Sequence, residues 1–314
     1  MLKAGSCDVA LAIGAEKMNI TDKARMFSVF DGAWDLSEPD ANLARLLAPA
    51  KDFVVPEGHE SDRPYSVFMS VYAAFARAHM HKYGTTQRQI AAVSAKNHQH
   101  STHNPLSQFQ QAYSIEEVLN APPITYPLTL PMCAPISDGA AAVIVCNEDG
   151  LKRIGSDKNR AIKVLATVTR SATDRSYSNP ELHCAHLCAM EAYEQAGVGP
   201  QDMDVSEVHD ATAMGEILHA ENLGLVPFGE AGPAAERGDF SIGGRIPINT
   251  SGGLESKGHP LGATGLGQLH ELVTQLRGEA GVRQVEGARH AVHENSGGLV
   301  GIEEGAVAVN ILAK

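Results

Sequence analysis

Residues 249–265 read Asn249-Thr-Ser-Gly-Gly-Leu-Glu-Ser-Lys-Gly-His-Pro-Leu-Gly-Ala-Thr-Gly265. The run sets one imidazole, His259, among Gly252, Gly253, Gly258, Gly262 and Gly265. Glycine is what a backbone needs where it turns tightly or approaches a ligand closely. A histidine at the centre of such a loop is placed to act on a carbonyl oxygen. The plainer alternative is a glycine-rich surface turn carrying an incidental ring.

Outward from this loop, elements alternate. An apolar run, Asp8–Ile13, reads as a buried strand ending at Gly14, and Asp138–Cys146 reads as a second. The Asp-rich, Pro-bearing stretch up to about residue 65 shows little periodicity and reads as loop. Helical spacing recurs over 65–83, ended by Gly84, and over 87–103. The polar segment 149–160 breaks the pattern and marks a boundary. Beyond it come a strand at 162–168, a helix at 179–196, a short strand at 205–209, a helix ending near Gly224, a helix at 265–276 and a strand at 305–311. Strands alternating with helices predict βαβ units and an α/β layered fold.

With 314 residues, the chain can bury a sizeable core of about two domains. The formal charge of −12 argues against nucleic-acid and anionic-membrane partners, whose surfaces reward clustered Lys and Arg. The five cysteines include no Cys-x-x-Cys pair, and Cys184 and Cys188 read as packing thiols on one helix face. No metal site is expected, and a reducing cytoplasm is the expected location. No apolar run approaches the roughly 20 residues that span a bilayer.

Three further clusters carry chemistry-bearing side chains. His209-Asp-Ala-Thr212 stands at a strand-to-helix turn, where open α/β folds bind ligands; Asp210 alone could be a helix cap. His293-Glu-Asn-Ser-Gly-Gly298 reads as a glycine loop. His98, in Lys96-Asn97-His98, is either a pocket residue or a solvated helix-face histidine, and His100 and His103 read as solvated.

The 249–265 run resembles the histidine signature of the thiolase superfamily, Asn-x-x-Gly-Gly followed by Gly-His-Pro-x-Gly-x-Thr-Gly. Only Glu255 departs from it, at a usually apolar place. His209-Asp210-Ala211-Thr212 is similar to the His-Asp-x-Phe motif of the sterol-carrier-protein-2-type thiolases. Asn97-His98 and Ser137–Ala142 resemble that branch's Asn-His and Asp-Gly-Ala-Ala-Ala runs. The resemblance covers essentially the whole chain. It implies a layered α-β-α-β-α fold of two similar halves, 1–155 (with a loop region at about 30–125) and 156–314, the first half incomplete.

The resemblance also implies roles. His259 and His209 would act on a thioester, His293 and Ser296 would supply acid/base chemistry, and Gly297 and Gly298 would line an oxyanion hole. Asn249, His98 and Gly258 would bind substrate or CoA. No cofactor is implied beyond the CoA thioester as substrate. The family's nucleophilic cysteine lies at a helix start upstream of the text resembling Ala4–Met18, so that segment is expected to be missing here. Neither home of the family's acid/base cysteine holds one: 293–298 contains no thiol and the His-Asp motif has Ala211. Claisen condensation is therefore not expected. The implied function is an acyl-CoA acyltransferase-like protein of lipid or steroid metabolism, dependent on a nucleophile segment. The alternatives are a retro-aldolase of the steroid side-chain type, or a non-catalytic acyl-CoA- or lipid-binding subunit. A homodimer or homotetramer, or a zinc-ribbon/OB-fold partner, is expected.

Overall fold

The computed structural model describes residues 2–155 and 157–314; the boundary expected at 155/156 meets Ser156, which lies outside the described residues. The first part runs β1 (Val9–Glu16), α1 (Lys23–Ser28), α2 (Pro39–Leu47), α3 (Val67–Tyr83), α4 (Gln87–Ser101), α5 (Ile115–Leu119), β2 (Pro123–Thr125), β3 (Leu128–Thr129), β4 (Gly139–Cys146) and α6 (Glu148–Ile154). The second runs β5 (Lys163–Ser171), α7 (Cys184–Ala196), β6 (Val205–Glu207), α8 (Ala213–Asn222), α9 (Ala231–Arg237), α10 (Thr264–Arg277), β7 (His290–Val300) and β8 (Glu303–Ala313).

Local chemistry explains the boundaries. Ser66 caps α3 by accepting from the Phe68 N–H, and Gly84 ends it in the left-handed region at φ 77°. Thr86 and Gln89 form a capping box at the start of α4. The stretch expected to be loop holds α1 and α2. Asp22 caps the first, and Pro39 starts the second while Leu46 anchors it in the core. These helices are too short for their periodicity to stand out in sequence. The helix expected from 179 begins at Cys184 instead, with His183 as its cap.

Two sheets organise the molecule. β1 and β4 pair antiparallel, Leu11 opposite Ile144 and Ile13 opposite Ala142. The larger sheet has the order β5-β8-β7-β6, with only β6–β7 parallel. Helix α10 packs against strands of both sheets and so lies between them. Its Leu272 and Leu276 meet Val205, Ala291 and Leu312 on one face of the larger sheet. Helix α7 covers the opposite face, where Cys184, Cys188 and Ala189 join Val292, Val307, Val309 and Ile311. The alternating helix and sheet layers are those of the expected fold.

The segment 293–298 is a correction. It is no loop but the middle of strand β7, paired to β8 from His293↔Asn310 through Gly297↔Ala306. Two glycines and four polar residues hid a buried strand, because both faces are covered and polar partners wait on each.

Candidate active site

A cavity of about 900 Å³ opens between the carboxyl end of β6, the 249–265 loop and the aromatic residues of α1, α3 and the α4–α5 connection. Its lining is mostly apolar, with Phe30, Met69, Phe109, Tyr113 and Leu130 among the walls. At one side His209 and His259 face each other edge to face, ring centroids 5.0 Å apart. Ser296, Gly297, Gly298 and His98 line the same cavity. The structure thus gathers His209, His259, Ser296, Gly297, Gly298 and His98 around one space.

A hydrogen bond orients the His259 ring. The His259 backbone N–H donates to Ser137 Oγ at 2.9 Å, and Nδ1 lies 2.8 Å from Thr264 Oγ1. The Thr264 hydroxyl donates its one proton to the Pro260 carbonyl at 3.0 Å. Nδ1–H therefore donates to Thr264, which leaves the lone pair on Nε2. Burial, and then the neighbouring His209, hold the His259 pKa well below its usual value, so the ring is neutral. Burial pulls His209 down to about 4, so it is neutral as well. Its Nδ1 is buried with no hydrogen-bond partner among the described residues. The His209 ring itself borders the cavity.

Behind these rings lies a polar frame. Asp210 is not a helix cap: Thr212 occupies that place without a side-chain bond. Asp210 instead accepts from the Leu254 N–H at 2.7 Å and from Asn97 Nδ2 at 3.1 Å, tying the His209 turn to the signature loop. Asn249 does not line the cavity. Its Oδ1 accepts from the Val208 N–H at 2.9 Å and its Nδ2 donates to Glu216 at 2.8 Å, so it braces the strand end below His209. Gly258, at φ 113°, borders a second pocket of about 660 Å³, and a Cβ there would lie 2.9 Å from Ser137 Oγ. Glycine lets the loop press onto the serine that holds His259.

Strand geometry divides the 293–298 cluster. Successive side chains of a strand point to opposite faces. His293 faces α10, where Nε2 lies 3.1 Å from Gln268 Oε1 and Nδ1 2.8 Å from Asn310 Nδ2. It does not line the cavity, and burial takes its pKa down to about 3. Ser296 lies on the other face with Glu294. The expected His293–Ser296 acid/base pair is thus separated by the pleat. His98 is buried rather than solvated, bonded to the Pro131 carbonyl at 3.2 Å and to Ser256 Oγ at 3.1 Å. His100 is also buried, its Nδ1 donating to the Asn249 carbonyl at 3.0 Å.

Sequence reasoning passed over Glu255, Cys133, His219 and Glu294. Glu255 lines the cavity, and burial pushes its pKa up to about 8 beside Glu216. Its departure from the usual apolar residue was the available signal. Cys133 also lines the cavity, but burial drives its thiol pKa up, against thiolate chemistry. His183, Cys184 and Glu303 form the one group of possible metal ligands among the described residues. Thr173 and Arg175 already hold the Glu303 carboxylate, and His183 Nδ1 accepts from the Ala185 N–H.

Comparisons with known proteins converge on one family. Residues 166–310 match a family model described as thiolase C-terminal domain-like. The chain is 38% identical to an acetyl-CoA acetyltransferase of Methanothermobacter thermautotrophicus, over 99% of this chain and 74% of that one. It is 39% identical to sterol carrier protein 2 of Oryctolagus cuniculus, over 95% of this chain and 52% of that protein, so it spans about half of that relative's length. In fold it is similar to a solved Ltp2-ChsH2(DUF35) aldolase, with a TM-score of 0.75 and 23% identity, covering 99% of this chain and 74% of that one.

Proposed function

This chain belongs to the thiolase superfamily, among its sterol-carrier-protein-2-type members, and from that premise we propose that it binds CoA thioesters and takes part in acyl transfer from them. The observation that carries this reading is the His209–His259 pair on the wall of the apolar cavity. Acyl transfer needs a base for the nucleophile and a polar contact for the oxygen on which negative charge develops. His259, with its lone pair on Nε2, serves as the base. His209, whose ring borders the cavity, meets the thioester oxygen. The apolar walls suit the acyl chain of a lipid-like substrate.

We further propose that the chain works in the cytoplasm, associated with a second copy or with an OB-fold partner. The exposed apolar residues of the β1–β4 ribbon support association. No helix among the described residues is long and apolar enough to cross a membrane.

Calorimetry with a non-cleavable acyl-CoA thioether, alongside an acyl-transfer assay, tests the reading. His259→Ala is expected to keep thioether affinity within a few-fold and to lower transfer by roughly 10²–10³, the range for losing one catalytic polar group at a reacting carbonyl. Absence of thioether binding overturns the proposal. Binding without any transfer by the unsubstituted chain favours the non-catalytic acyl-CoA-binding subunit.

A further inference from the structure

We propose that Ser296, on the cavity wall, and His219 and Glu294, buried behind it, form a nucleophile–base–carboxyl set able to accept an acyl group on Ser296 Oγ. The proposal rests on the thioester reading only for the identity of the acyl donor. Ser296 Oγ lies 3.4 Å from His219 Nε2, and the ring's other nitrogen, Nδ1, lies 3.6 Å from Glu294 Oε2. These are looser than closed hydrogen bonds, the spacing common in catalytic sets before substrate is bound.

Two independent placements build the set. Residues i and i+2 share a face of a strand, so β7 turns Glu294 and Ser296 to the same side. Helix α8 carries His219 to that side, fully buried between Glu294 and Glu304. Glu294 is fixed in turn, its Oε2 accepting from the His209 N–H at 2.9 Å. His219 Nδ1 and Glu294 Oε1 are buried without hydrogen-bond partners among the described residues. Leaving such atoms unpaired costs more than an apolar replacement would, so packing alone gives no reason for a His and two Glu here. Glu304 Oε1 sits 3.7 Å from His219 Nε2 while its Oε2 lies 3.2 Å from His183 Nε2. That carboxylate stabilises the imidazolium formed when Nε2 takes the serine proton. Burial lowers the His219 pKa to about 3, so the ring is neutral and can accept, though as a weak base. Slow turnover follows.

The step balances. Ser296 Oγ bonds to the thioester carbonyl carbon as its proton passes to His219 Nε2, and the carbonyl π pair moves to oxygen. The adduct collapses with cleavage of the C–S bond, the thiolate takes the proton back from Nε2–H, and an acyl-Ser296 ester and a free thiol result. Water repeats the sequence on the ester, releasing a carboxylic acid and restoring Ser296. Acyl transfer to Ser296 thus needs no cysteine.

The test is labelling of the full chain with a serine-directed fluorophosphonate, peptide mapping of the adduct, and acyl-CoA thioether binding on the same sample. We expect the label on Ser296, lost in Ser296→Ala and slowed at least about 10-fold in His219→Gln and Glu294→Gln. Mapping is done on the unsubstituted chain and so does not depend on any variant folding. Thioether binding without label on Ser296, or labelling of Ser296 unchanged in both Gln variants, overturns the triad and leaves the thioester reading standing. Label on Ser296 without thioether binding supports the triad and removes the thioester as its donor.

Discussion

At the scale of single residues, the chemistry of the site depends on where one hydroxyl sends its proton. Thr264 donates to the Pro260 carbonyl, so His259 must donate from Nδ1 and keep its lone pair on Nε2. Thr264→Val removes the acceptor and frees the ring to populate the other tautomer. Acyl transfer is expected to fall about 10-fold, less than the roughly 10²–10⁴ of losing a general base outright, with thioether affinity unchanged. Transfer kinetics and calorimetry on this variant check it, and unaltered transfer would mean that Thr264 does not set the ring. Asn249 shows a similar indirect role, since it holds the backbone that carries His209 and touches nothing in the cavity.

Among the elements, the β1–β4 ribbon stands out for what it leaves open. Leu11, Ile13 and Ile144 are 59%, 68% and 66% exposed, and Leu11 and Ile144 are direct cross-strand partners. Adjacent exposed apolar side chains on a two-stranded ribbon mark a surface that another surface covers. The unsubstituted chain is expected to sediment as dimer or larger, and the triple change Leu11→Ser, Ile13→Ser, Ile144→Ser is expected to shift it toward monomer. A single monomeric species at high concentration without any substitution would refute the association. On the other face of the ribbon, α10 packs as the shared layer between sheets.

For the whole molecule, buried titratable groups set the dependence of stability on pH. Burial lowers His100, His219 and His293 to about 3 and His209 to about 4, against 6.5 when unfolded. These depressed groups contribute stability in full above pH 6.5, and each loses ~1.4 kcal/mol per unit as pH falls below it. Burial raises Glu255 and Glu294 to about 8, against 4.5 when unfolded. Their folded forms hold a proton that the unfolded forms release, so between 8 and 4.5 they add stability as pH falls. Asp210, also raised by burial, acts in the same direction. From 6.5 to 4.5 the two sets largely oppose each other. Below 4.5 the raised carboxylates have given all they can, while the histidines keep losing and the depressed Glu304 and Glu271 begin to lose theirs. The urea midpoint is expected to peak near pH 6–7, decline gently to about 4.5 and drop steeply beneath it. A midpoint flat from pH 7 to 4 would contradict the burial of these rings.

The sequence by itself determined the signature loop and the α/β alternation, and it singled out His209 and His259, because glycine spacing and hydrophobic period are local properties. It also carried the helix ends at Gly84 and Thr86, where capping is local too. Only the tertiary structure decided which side chains meet. The β7 pleat sends His293 to α10 and Ser296 toward His219, a partner 77 residues away in the chain. Asp210, which could have been a cap, is a brace to Leu254; His98, open between pocket and solvent in the sequence, borders the cavity; and His100 looked solvated and is buried. Those outcomes follow from sheet order and from the packing of α4, α8 and α10 across it, long-range pairings for which a local pattern carries no signal.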